Sequence, residues 1–104
     1  TPPDPLALAA LPQTFALFAA RPNPFNPEPA LPFSLPVQSP VRLRVFDLLG
    51  RPVRTLVEDA LAAGFHRRAW RGLDDQGRAV GSGLYLVEMR AGDWHQIGKV
   101  MLVI

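Results

Sequence analysis

Val41-Arg42-Leu43-Arg44-Val45-Phe46-Asp47-Leu48-Leu49-Gly50-Arg51 reads as a strand that runs into a tight turn. Val41, Leu43 and Val45 alternate with Arg42, Arg44 and Phe46. A period of two puts the first set on a buried face and the second on a wet one, the pattern of a half-buried antiparallel strand. Asp47 to Gly50 ends the strand, and Gly50 suits a backbone position with positive φ.

Upstream, Pro22-Asn23-Pro24-Phe25-Asn26-Pro27 is a stiff lead-in, because its three prolines fix φ and remove backbone donors. Asn23 and Asn26 suit side-chain turns onto the backbone, and Phe25 is expected to plug the end of a sandwich. Leu31, Phe33 and Leu35 then alternate with Pro32, Ser34 and Pro36. Their prolines predict an edge strand. Phe15 to Phe18 is a short first strand. Residues 1–14 read as a Pro/Ala-rich linker in which Leu6 to Leu11 suits one helical turn, stopped by Pro12. The domain proper is expected over residues 15–104.

Downstream, Pro52 to Val57 predicts a strand with Val53 and either Leu56 or Val57 inward. Glu58 to Gly64 reads as a connection whose Ala-Leu-Ala-Ala run suits a helical turn, and Phe65 to Trp70 as another strand. Asp74 to Arg78 is a turn, with Asp side chains capping amides and Gly77 in the left-handed position. Gly83 to Ala91 predicts a strand with Tyr85, Val87 and Met89 inward, and Gly92-Asp93 a two-residue hairpin. The last strand spans Trp94 to Ile104. Its continuously apolar end, from Val100, predicts a central or doubly covered strand. About seven short strands with regular turn signals predict an all-β, antiparallel β-sandwich.

Bulk composition agrees with one globular domain. The chain has 104 residues, 48% hydrophobic and 19% charged, with no cysteine and so no disulfide or thiolate metal site. It begins at Thr1 with neither an initiator Met nor an apolar signal segment, which reads as a piece of a longer precursor. The net charge is only +2, and Lys99 is the one lysine. The arginines are scattered along the strands and read as solvation of their outer faces; nucleic acid is not an expected partner.

The residues offer little catalytic chemistry. His66 and His95 have no HExxH or HxxxH context, and His66 reads as structural, beside aromatics. Asp74 and Asp75 lack the EF-hand spacing and read as an Asx-turn. Ser34, Ser39 and Ser82 stand outside any G-x-S-x-G, and Gly81-Ser82-Gly83 leads to a strand, unlike a phosphate loop. No catalytic residue, cofactor or metal site is expected. Trp70 and Tyr85 fall on core faces, whereas Trp94 adjoins a turn and is the aromatic expected at the surface.

Read in order, the fragments carry a family resemblance. They are Leu11-Pro12 with Phe15-Ala16-Leu17, then Pro22 to Pro27, then Phe46 to Val53. Ala63-Gly64-Phe65-His66, Trp70 with Gly72, Asp75-Gln76-Gly77-Arg78, Ser82-Gly83-Leu84-Tyr85 and Lys99-Val100-Met101-Leu102 follow. In this order and spacing they resemble the type A C-terminal sorting domain of proteins exported by the type IX, or Por, secretion system. That domain is related to the immunoglobulin-like domain of the flagellar hook-capping protein. Three departures stand out: Arg68 replaces an apolar strand residue, Arg71 replaces an Asp after the Trp, and Val103-Ile104 replaces a terminal basic residue.

The resemblance implies an Ig-like fold and a non-catalytic role in sorting and anchoring. An N-terminal cargo domain of the same precursor would pass through the periplasm. It would then be recognised by the type IX outer-membrane translocon and a surface sortase, and end at the cell surface or secreted. Motif position implies a recognised surface formed by Gly64, His66, Gly83, Tyr85, Lys99, Val100, Met101 and Leu102. An unpaired strand edge would also favour self-association. Two other readings are an accessory carbohydrate-binding or adhesive module of a secreted enzyme, which needs an exposed platform including Trp94, and a hook-cap-like structural domain that self-assembles.

Overall fold

A computed structural model of the protein describes residues 11–23 and 26–103. They form two antiparallel four-stranded sheets packed face to face. The strands are β1 Ala16–Leu17, β2 Arg21–Asn23, β3 Asn26–Leu35, β4 Ser39–Phe46, β5 Pro52–Leu61, β6 Gly64–Ala69, β7 Gly83–Ala91 and β8 Trp94–Leu102. In the first sheet β3 is flanked by β1 and β2 on one side and by β6 on the other; the second sheet runs β5-β4-β7-β8. Because β1 and β2 are two segments of one edge, the sandwich has seven strand positions, as the turn spacing predicts. The expectations for the linker's first ten residues and for Phe25 lie outside the described residues.

The core follows the period of two. Leu31, Phe33 and Leu35 of β3 face Val41, Leu43 and Val45 of β4 and Val87 and Met89 of β7, all buried. Leu17, Val57, Trp70, Val100 and Leu102 complete the layer. Apolar area removed from water is the main favourable term here, at about 25 cal/mol per Å².

Three expectations need correction. β3 is the central strand of its sheet despite its prolines. In an antiparallel strand the N–H and C=O of one residue point the same way. The Pro32 carbonyl accepts from the Phe18 N–H at 3.0 Å, so its missing donor lies on the side of β1, a ladder only two residues long. The Pro29 carbonyl accepts from Trp70 N–H, one residue past the end of β6. Pro29 and Pro32, two of the three prolines of β3, thus lack a donor where little or no ladder would use it.

The Ala-Leu-Ala-Ala run forms no helical turn. β5 continues to Leu61, and only Ala62 and Ala63 separate it from β6 on the opposite sheet. The terminal strand β8 is an edge and is not central. Val100 and Leu102 are buried, but Met101 and Val103 point to solvent. An apolar run here marks alternation with an uncovered outer face.

The ambiguity at Leu56 and Val57 also has a physical answer. Leu43 pairs with Val57, but Arg44 pairs with Thr55, so Leu56 is the extra residue of a bulge. Val57 is buried, and Leu56 packs beside the core.

Replacing Leu43 with Ala is expected to cost about 2–5 kcal/mol in a urea unfolding titration, because its side chain is fully enclosed. Leu49→Ala, at a residue 78% exposed, is expected to change stability by no more than about 0.5 kcal/mol. Equal effects would contradict this packing.

Candidate recognition surface

Two turns at one end of the sandwich share one construction. Asp47-Leu48-Leu49-Gly50-Arg51 joins β4 to β5, and Asp74-Asp75-Gln76-Gly77-Arg78 lies in the segment between β6 and β7. In each, the Asp N–H donates to the Arg carbonyl and the Gly N–H donates back to the Asp carbonyl. Asp47 Oδ1 accepts from the N–H groups of Leu49 and Arg51, both at 2.9 Å, while Oδ2 meets Arg51 Nε at 2.8 Å. Asp74 repeats this with Gln76 at 3.0 Å, Arg78 at 2.9 Å and Arg78 Nε at 3.2 Å. The left-handed position falls to Gly50 at φ +82° and Gly77 at φ +78°.

These contacts hold both carboxyls below the usual range. The chief cause is the Arg51 N–H for Asp47 and the Arg78 N–H for Asp74, since each hydrogen bond favours the charged form. The repeated Asp-x-x-Gly-Arg spacing is legible in the sequence, yet only the geometry shows that the two turns are equivalent.

The second turn docks onto β5. Asp75 N–H donates to the Val53 carbonyl at 2.9 Å, Thr55 N–H donates to Asp75 Oδ1 at 2.9 Å, and Arg54 Nη1 donates to the Asp74 carbonyl at 2.8 Å. Behind it sits Trp70, 1% exposed, with Nε1–H donating to the Leu73 carbonyl at 3.0 Å. Tyr85 meets its ring edge-on at 4.9 Å between centroids and donates its hydroxyl to the Gly81 carbonyl at 2.6 Å. Both aromatics therefore pack on the core, as their strand faces predict.

The residues singled out by motif position do not form one surface. Gly83, Leu84 and Tyr85 pair with Leu102, Met101 and Val100, so the β7 and β8 segments are neighbours. Gly64 and His66 pair with Leu35 and Phe33 in the other sheet. They lie near the crossover into β4, at the end opposite Gly83. His66 stacks on Phe33 at 5.3 Å, and its Nε2 is 2.8 Å from the Ala62 carbonyl oxygen, a packing role. Val100 and Leu102 are buried, so of the four β8 residues singled out only Lys99 and Met101 are presented outward.

Trp94 is half-buried and is not a free platform: its ring stacks on Phe15 at 5.7 Å and packs against the core. Arg68 is half-buried, and its guanidinium is hydrogen-bonded, with Nη1 donating to the Arg67 carbonyl at 2.9 Å. Arg71 lies 3.8 Å from Glu28.

The outer face of the second sheet divides in two. Glu88 receives Arg90 Nε at 3.1 Å and Arg44 Nη2 at 3.3 Å, and Arg90 is the main reason its carboxyl is held low. Arg44 lies over the Phe46 ring at 4.8 Å. Toward the chain's last residues the face is apolar: Phe46 is beside Leu86, Leu84 beside Met101, and Ile97 is 60% exposed. Ile97, which motif position does not single out, belongs to this exposed apolar set; Leu48 and Leu49, in the turn between β4 and β5, are exposed as well.

Comparison with known proteins places this architecture. A family model described as the FlgD Ig-like domain matches residues 29–93. The chain belongs to the FlgD Ig-like domain family. The match runs from within β3 to the β7–β8 hairpin and covers the core strands β4 to β7. No curated protein matches the chain.

The depressed carboxyls carry a pH signature. A group with a folded-state pKa below its unfolded value contributes stability above the unfolded pKa and loses it as pH falls through the folded one. Stability is expected to fall from about pH 5 downward, as pH drops through the usual Asp range and then below it. The Asp47→Asn/Asp74→Asn double variant is expected to start lower at the upper pH and to lose less on acidification in urea titrations. Parallel profiles would contradict it.

Proposed function

We propose that the chain is a non-catalytic C-terminal sorting and anchoring domain. It directs an N-terminal cargo domain of the same precursor across the outer membrane by type IX secretion. The observation that carries this reading is the ordered set of sorting-domain motifs, laid along an Ig-like domain of the hook-capping family. Two of those motifs, Ser82 to Tyr85 and Lys99 to Leu102, are paired neighbours on β7 and β8. The partners of this reading are the type IX translocon and a surface sortase, and the route is periplasm, then cell surface or medium. Specificity would lie in shape and strand edges, with no cofactor involved.

The test is surface export of a signal-peptide-bearing reporter fused to residues 1–104. It is run in a type IX-competent bacterium and in a matched strain lacking the translocon. Translocon-dependent surface appearance is the expected result; periplasmic retention of a folded, intact fusion in both strains would overturn it. Deleting Lys99 to Ile104 is expected to abolish export, but it also removes the buried Val100 and Leu102. Lys99→Glu/Met101→Ser alters only the outward side chains, so it separates a recognition defect from unfolding. Reduced export with an unchanged melting temperature is its expected outcome.

A further inference from the structure

The four sheet edges are not alike. The β1/β2 edge is two short segments with a register shift. The β6 edge is six residues long and carries Arg67 and Arg68. The β5 edge is bulged and partly paired by the Asp74–Arg78 turn, through Asp75 and Thr55. Charges, bulges, short strands and covering loops are the usual ways a fold blunts its edges. β8 has little of this. It is nine residues long, contains no proline and keeps an unbroken register with β7.

β1 reaches β8 at Gln96 and Gly98. The Gln96 side chain accepts from the Leu17 N–H at 3.3 Å and donates to the Leu17 carbonyl at 3.0 Å. A Cβ on Gly98 would lie 3.3 Å from Leu17 Cδ2. Among the described residues no strand pairs with the outer edge of β8, where alternate backbone N–H and C=O groups point away from β7.

Two further features give this edge a chemistry. A cleft of about 310 Å³ opens in the seam between the sheets, lined by Leu17, Leu31, Val87 and Gly98 among others. It has room for apolar side chains of an added strand. On the outer face Ile97 and Met101, 60% and 57% exposed, flank Lys99. Lys99 enters no ion pair among the described residues. The diagonal carboxylate, Glu88, is already held by Arg44 and Arg90.

We infer that β8 is a strand-addition site for an extended peptide segment with apolar side chains and one carboxylate. The apolar side chains enter the seam and cover Ile97 and Met101, and the carboxylate pairs with Lys99. A second copy of this chain fits less well, since β8 holds no acidic residue to meet Lys99. The inference rests on the sorting reading only for the partner's origin; the contact itself follows from the edge.

The probe is a nonapeptide of alternating threonine and isoleucine with a central glutamate, and its counterpart with a central lysine. Binding to the 104-residue chain is read by fluorescence anisotropy, and its location by amide hydrogen exchange. In the free chain, alternate amides between Ile97 and Leu102 are expected to exchange fast, and the glutamate peptide is expected to slow them. The lysine peptide is expected to bind at least about tenfold more weakly, a preference that Lys99→Glu reverses.

Slow exchange of those amides in the free chain, protection at β6 instead, or equal binding of both peptides to both chains would overturn the proposal. So would a concentration-dependent dimer paired through β8. Peptide binding with failed export would sink the sorting reading alone, and export without peptide binding would sink this one alone.

Discussion

The enclosure of Trp70 is the contact on which most of the architecture depends. Its backbone N–H holds the Pro29 carbonyl of β3, its indole N–H holds the Leu73 carbonyl, and its ring takes the edge of Tyr85 on β7. One residue thus ties the first sheet, the segment between β6 and β7, and the second sheet. A buried indole needs a partner for its N–H, and that need fixes the path of the chain after β6. Gly72 follows with its Cα against Leu102, where a Cβ would come within 3.1 Å of that side chain. The next residues then fall where Asp74 and Asp75 can dock on β5.

That docking changes the character of the sandwich. It covers part of one edge of the second sheet, while among the described residues no strand pairs with the other edge, β8. The outer surface salt bridges add little by themselves, since exposed pairs contribute about 0–1 kcal/mol. Their effect is to make one half of the outer face polar, so the apolar half beside β8 is distinct. Function, on this account, comes from a rigid core that displays a strand edge and an adjacent apolar strip.

Much of the fold is legible in the residues because the alternation is strict where one face is buried. Val41, Leu43 and Val45 announce the core face of β4, and Tyr85, Val87 and Met89 that of β7. Both Asp-x-x-Gly-Arg turns are readable as turns, because Asp caps amides and Gly takes positive φ. The place of each strand within its sheet is not. Proline argues for an edge only if its missing donor would have met a partner, and in β3 that depends on how far β1 and β6 extend. The apolar end of β8 suggests two covered faces, but composition does not say what covers them. The docking of the second turn on β5 joins residues about twenty apart, each contact using at least one backbone group, which no side-chain pattern reports. Of the segments singled out by motif position, those on β7 and β8 are neighbours, while Gly64 and His66 lie across the sandwich because β5 crosses between sheets through only Ala62 and Ala63.

The central claim is that the domain acts through its terminal edge while the first sheet serves as support. Site-specific photo-crosslinking in an exporting cell tests it most directly, with the probe placed either at Met101 on β8 or at Phe65 on β6, both exposed. Covalent adducts from position 101 that depend on the translocon, and none from position 65, are the result this account requires. Adducts from position 65 alone, or none from either position in a cell that exports the cargo, would contradict it.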